Sequence, residues 1–399
     1  MQNNKVKVGI VTHYYQSTNY GGNLQAYALC RFINDTFPFA RAEQIAYDIS
    51  GNARELRRPK RLTLKRLLKK LYATVQNRMN TKTHQLERQA IQTRENVVLV
   101  FNREAIPHSE TTYTAESVAQ SAALYDIFIT GSDQVWHPNA VCPAYLLQFV
   151  DGKKKRKVSY AASVAKPELN EEEKKKLKIA LADFYAVSVR EEDAVELLMP
   201  LAPVRPVWTL DPTLLLAKAQ WLSITPSRRI SDDYVFCYFL GDDLTERRLA
   251  ELFAKEIGLK LVTLPFLLGE YRKCDDGFGD QLLFDVSVQD FLSLIRHATY
   301  ILTDSFHATV FSILFEKEFF VFDRPQIKGA NVRIESLLTL FDMDLRFCES
   351  PERTQLSYLL RQPPLKYGVP FAKFEECKRI SIRFLEDVLA VSLDKTRDD

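Results

Sequence analysis

The segment Tyr300 to Phe322, YILTDSFHATVFSILFEKEFFVF, gathers Asp304, Ser305 and His307 into one polar turn between apolar runs. An imidazole titrates near neutral pH, so His307 has the chemistry to give and to take a proton. The runs around it read as a buried strand, an apolar helix and a second buried strand. A turn entering a helix also presents unpaired N–H groups and a partial positive charge, a setting that favours anions. From these residues alone two roles stay open for His307, proton carrier or helix cap.

Other strand-to-helix turns carry further candidates. Val6–Val11 is a near-continuous apolar strand of the parallel type. His13 follows it in the loop, and Asn19, Tyr20, Gly21, Gly22 and Gln25 open an apolar-periodic helix. This is a Rossmann-like βα unit without the GxGxxG dinucleotide fingerprint. The glycine pair either lets backbone N–H groups approach a ligand or simply permits the turn. Tyr125–Thr130 ends in Gly131-Ser132-Asp133, Lys157–Ala161 precedes a charged helix, and Ala186–Val189 runs into Arg190. Each strand delivers a polar residue to the sheet edge where open α/β folds hold ligands, which makes Asp133 and Arg190 site candidates by position.

Pro203 to Pro212 reads as a crossing between domains, after which the alternation of strand and helix resumes. The expected architecture is α/β, with two Rossmann-like domains facing a cleft. The first spans residues 1–205, with a basic helical insertion at about 52–95, and the second spans 206–365. Residues 366–399 form a last helix expected to pack back on the first domain.

Composition removes several function classes. With 399 residues and 46% hydrophobic content, the chain can bury a large core, and a formal net charge of +3 gives no reason to expect nucleic acid. Six scattered cysteines lack metal-ligand spacing, which points to a reducing compartment and no metal or resident cofactor. No run approaches the length of a membrane-spanning helix, and the N-terminus has no secretory pattern, so a cytoplasmic protein is expected. The segment Arg54 to Lys82 is the outlier, with eleven Lys/Arg among regularly spaced leucines and Glu55 as its acid. Such a helix either packs its leucines on the domain or meets an anionic membrane surface as a peripheral contact.

The blocks YGGNLQAYAL, YDIFITGSDQVWHP, SYAASVA, SVREEDAVELL, LDPTLLL, DFLSLIRHATYILTDSFHATVFSILF and NVRIESLL, in that order, resemble the polysaccharide pyruvyl transferase family. The resemblance implies a glycosyltransferase B-like fold. It also implies transfer of the enolpyruvyl unit of phosphoenolpyruvate onto a sugar as a ketal, in the making of exopolysaccharide or capsule. Phosphoenolpyruvate would be a co-substrate, and the acceptor a sugar or a lipid-linked oligosaccharide. Residue by residue, His307 matches the family's acid/base histidine, with Asp133 beside it in a catalytic role. Arg190, Ser305, Asn331 and Arg333 are expected to hold the donor. Asn19, Tyr20, Gly21, Gly22, Gln25 and His13 are expected to line the acceptor side of the cleft. Several family members carry an arginine where Ser305 stands, so the donor's cation is sought at Arg190, Arg324 or Arg333. The competing readings are a nucleotide-sugar glycosyltransferase of the same fold and a non-catalytic glycan-binding protein.

Overall fold

The computed structural model describes residues 5–50, 81–138, 141–324, 331–349, 354–368 and 370–390. Residues 54–80 of the basic segment lie outside these, and the membrane expectation with them.

Two six-stranded sheets form the molecule, and every strand pair in them is parallel. The first holds β1 (Val6–Val11), β2 (Ala40–Gln44), β3 (Ile127–Thr130), β4 (Arg156–Ala162), β5 (Ala186–Val189) and β6 (Val207–Trp208), in the order β2-β1-β3-β4-β5-β6. The second holds β7 (Tyr234–Tyr238), β8 (Lys260–Thr263), β9 (Gln281–Leu282), β10 (Tyr300–Thr303), β11 (Glu318–Phe322) and β12 (Phe347–Cys348), in the order β12-β11-β10-β7-β8-β9. β3 and β7 are buried at every residue, which is why they read as unbroken apolar runs. β6 still pairs with β5, so the first sheet extends past the expected boundary at 205/206.

The helices accompanying the first sheet are α1 (Tyr20–Thr36), α2 (Thr81–Glu104), α3 (Glu171–Leu181) and α4 (Asp193–Leu198). After the crossing come α5 (Lys218–Leu222), α6 (Leu244–Glu256), α7 (Val288–His297), α8 (Phe306–Leu314), α9 (Val332–Leu340), α10 (Leu356–Arg361) and α11 (Ala372–Leu389). Their starts are chemically marked: Asn170 and Glu173 form a reciprocal capping box on α3, and Ser287 and Asp290 do so on α7.

The sheets change winding direction between β1 and β3 and again between β7 and β10. At such points the loops after neighbouring strands diverge and leave a crevice. The two domains meet across these crevices with aromatic packing. Tyr20 of α1 stacks on Phe291 of α7 with centroids 4.4 Å apart, and Tyr27 of α1 lies 5.8 Å from the Trp221 ring of α5. α11 returns to the first domain, where Arg156 Nη1 donates to the carbonyls of Val388 and Ala390 at 3.0 and 2.9 Å. Its other end rests on the second domain, with Phe374 4.7 Å from Phe341. This is the glycosyltransferase B-like arrangement. No helix among the described residues is long and apolar enough to cross a membrane.

Candidate active site between the two sheets

The loops after β1, β3 and β5 meet the start of α8 from the opposite domain. Asp211, in the crossing after β6, is the point where they join. It is 1% exposed, and its Oδ1 accepts from the Thr213 N–H and hydroxyl at 3.0 and 2.7 Å. Its Oδ2 accepts from Ser132 Oγ at 3.1 Å and from Arg190 Nη1 at 2.8 Å, and it lies 3.7 Å from Nε2 of His307. Burial alone would raise this carboxyl's pKa. The charges of His307 and Arg190 and the Thr213 bond outweigh burial and hold it well below the usual carboxylate range.

His307 sits in the first turn of α8, 7% exposed, with Nε2 in no hydrogen bond. Its other edge lies on Gly21: a Cβ at that position would come within 2.0 Å of Nδ1. Position 21 therefore has to be glycine for the imidazole to enter between the domains. Ser305 is the N-cap of α8, its Oγ accepting from the Ala308 N–H at 3.4 Å. Asp304 turns away to accept from the N–H groups of Leu240 and Gly241, both at 2.6 Å, at the end of β7.

Arg190 does face His307 across Asp211, yet its charge is already answered. Nη2 donates to Asp133 at 3.4 Å, Nε is 3.7 Å from Glu191, and the guanidinium lies 4.5 Å over the Phe306 ring. Burial works against its charge, but Asp211, Asp133 and Glu191 raise its pKa overall. Asp133 has left-handed backbone at φ 69°. Burial opposes its ionisation, and Arg190, His307, His13 and Arg333 overcome that and lower its pKa.

Arg333, at the start of α9, is the contrasting case. It is 7% exposed, its Nε has no partner, and both Nη atoms lie 3.2 Å from the Gln134 side chain with the amide oxygen turned toward them. Burial, then the neighbouring charges of Arg190 and Arg324, push its pKa down to about 9. Arg324 joins it with Nε in no hydrogen bond, though it forms an ion pair with Asp304 at 3.7 Å. A buried guanidinium repelled by two others marks a place where negative charge is missing.

The remaining expected residues divide into scaffold and lining. Asn19 is the N-cap of α1, accepting from the Gly22 N–H at 3.2 Å. Tyr20 donates to the Val286 carbonyl at 2.8 Å and is 1% exposed, so it joins the domains and does not present its hydroxyl to the cleft. A Cβ on Gly22 would meet the His13 carbonyl at 2.5 Å. Gln25 is wholly buried, donating to Thr12 Oγ1 and the Gly22 carbonyl at 3.0 Å each. Asn331 bonds Asp323 and accepts from the Arg324 N–H at 3.4 Å, which fastens the segment bearing Arg324. His13 packs its ring on Tyr145 at 4.4 Å, and burial lowers its pKa against the pull of Asp133.

Asp211 was not singled out from the sequence, nor were Gln134 and Glu191. The signal for Asp211 was an Asp-Pro step in the domain crossing, which announces a cap and nothing about which residues converge on it. Among the described residues no group of three or more His, Cys, Asp or Glu side chains is placed to hold a metal ion.

The chain is similar in its course to solved sugar-nucleotide enzymes. These include a UDP-GlcNAc 2-epimerase from Methanocaldococcus jannaschii (12% identity, 96% of this chain and 99% of that chain, TM-score 0.49). A putative UDP-N-acetylglucosamine 2-epimerase from Listeria monocytogenes matches at 11% identity, over 96% and 95% of the two chains, with TM-score 0.48. A UDP-glucosyltransferase from Polygonum tinctorium matches at 10% identity, over 99% and 96%, with TM-score 0.43. No curated protein sequence matches the chain. The family model described as polysaccharide pyruvyl transferase matches residues 19–325, which include Asp133, Arg190, Asp211, His307 and Arg324. The chain belongs to the polysaccharide pyruvyl transferase family.

Proposed function

We propose that this protein moves the enolpyruvyl unit of phosphoenolpyruvate onto a sugar as a cyclic ketal, in the synthesis of a cell-surface polysaccharide. The observation that carries the reading is Arg333, a buried guanidinium with an unpaired Nε whose pKa is pushed down to about 9. Phosphoenolpyruvate brings a phosphate and a carboxylate, and Arg333 with Arg324 offers the cations to receive them. Arg190 and Asp211 act behind them, holding His307 and Asp133 in place.

The reaction begins with a proton delivered from His307 to the methylene carbon of the donor, leaving a cation at C2. A sugar hydroxyl adds to C2 and loses its proton, the bond from C2 to the phosphate oxygen breaks, and a second hydroxyl closes the ketal. Phosphate leaves carrying one of the two hydroxyl protons, and the other restores the imidazolium. Asp133, ionised under its cationic neighbours, is suited to accept from an incoming hydroxyl.

Phosphate release from phosphoenolpyruvate in the presence of a β-galactoside is the direct assay. His307→Ala is expected to reduce kcat by at least about a hundred-fold while the protein stays folded by circular dichroism. Activity near the wild-type level in that variant would remove His307 from the chemistry.

A further inference from the structure

Gln134 has no part in the reaction above, yet its side chain meets the guanidinium on which the donor's binding turns. It stands in the loop after β3, in the first domain, whereas Arg333 lies in the first turn of α9, in the second. With its oxygen toward Arg333, the amide accepts from both Nη atoms at 3.2 Å each, a two-pronged contact across the domain boundary.

The loop that carries Gln134 is fixed on both sides. The Asp133 carbonyl accepts from the N–H groups of Val135 and Ser163 at 2.8 and 2.9 Å, and the Trp136 N–H donates to the Ser163 carbonyl at 3.3 Å. The Trp136 side chain is fully buried, and its indole N–H donates to the Tyr145 carbonyl at 3.1 Å. Gln134, half-buried, extends from this anchored backbone.

The choice of an amide has a consequence for charge. An amide oxygen accepts hydrogen bonds but carries no net charge. A carboxylate of the same length would close the paired fork that arginine makes with carboxylates, and would cancel the cation. Asp133 and Glu191 pull on the charge of Arg333, but burial and the push of Arg190 and Arg324 outweigh them. Held by its two Nη atoms, the guanidinium keeps Nε without a partner.

We propose that Gln134 is a positioning residue for the donor, orienting Arg333 from the opposite domain while leaving its positive charge uncancelled for a phosphate or carboxylate. The proposal rests on Arg333 being the donor's cation in the transferase reading. Because the amide and the guanidinium come from different domains, the cation is oriented when the domains stand together.

The test is calorimetric titration of phosphoenolpyruvate, and separately of inorganic phosphate, into wild type, Gln134→Ala and Gln134→Glu, with urea unfolding of each. Both variants are expected to bind phosphoenolpyruvate about ten-fold more weakly, the first by losing the orientation and the second by cancelling the charge. Gln134→Glu should do so with an unfolding midpoint at or above wild type, since it gives a repelled cation a counter-charge. In an Arg333→Ala background, Gln134→Ala should cause no further loss, because its effect passes through that guanidinium. Wild-type affinity in either variant, a lowered midpoint in Gln134→Glu, or an additive loss in the double variant overturns the proposal, as does a wild type that binds neither anion. Gln134-dependent phosphate binding in a protein that releases no phosphate from phosphoenolpyruvate upholds it and sinks the transferase reading.

Discussion

Two arginines that look alike in the sequence have opposite surroundings. Arg190 has Asp211, Asp133 and Glu191 within 4 Å, whereas Arg333 contacts a neutral amide, and the repulsion of two guanidiniums outweighs the pull of Asp133 and Glu191 on it. Their removal should therefore read out differently. Arg190→Ala leaves buried carboxylates without a counter-charge, at a cost of about 3–5 kcal/mol in stability measured by urea unfolding. Arg333→Ala relieves a repulsion, so its unfolding midpoint should stay at or above wild type. Its kcat/KM for phosphoenolpyruvate should fall by about a hundred-fold or more. A stable Arg190→Ala, or an Arg333→Ala with unchanged donor kinetics, would reverse the two assignments. The sequence offered both residues as donor contacts because a guanidinium at a strand or helix end is all it can display. Which carboxylates stand beside it depends on Asp211 arriving from the crossing, some twenty residues further along the chain.

At the scale of elements, the helix after β7 carries a group out of place for its environment. Glu246, in the first turn of α6, is 1% exposed and neither carboxyl oxygen has a partner. Burial, with the charges of Asp304 and Asp243, raises its pKa from 4.5 to about 9. Between those two values the folded chain keeps a proton that the unfolded chain has released, so stability falls as pH rises through the window. Urea unfolding at about pH 5 and pH 8 should show that fall in wild type, on the order of 4 kcal/mol. Glu246→Gln should flatten it, and parallel slopes for the two proteins would exclude the mechanism. The elements legible in the sequence are those whose pattern is local. β1, β3, β7 and β10 are apolar runs, α6 and α7 announce themselves by periodicity and caps, and α11 by periodicity alone. β2, with the sequence ARAEQ, alternates only weakly, with alanine as its apolar residue, and β6, β9 and β12 have two residues each. Such edge strands exist only because a neighbour is there to pair with them, and no window of sequence contains that neighbour.

For the whole molecule, two sheets each contribute part of one site. The first brings Asp133, Arg190 and Ser132, the second brings His307, Arg324 and Arg333, and the crossing supplies Asp211. The two-domain α/β plan was readable from the repeated strand-to-helix turns, because each turn must face the same sheet edge. The closeness of the domains was not. It depends on Gly21 admitting the imidazole and on Tyr20 stacking against Phe291, contacts between residues more than 260 positions apart. The central claim is that an anionic donor completes this interdomain site. The direct measurement is a crystal structure with phosphoenolpyruvate bound. The phosphate or carboxylate is predicted within hydrogen-bonding distance of Arg333 and Arg324, with the methylene carbon turned toward His307. A donor bound elsewhere, or one whose methylene carbon faces away from the imidazole, would contradict the account.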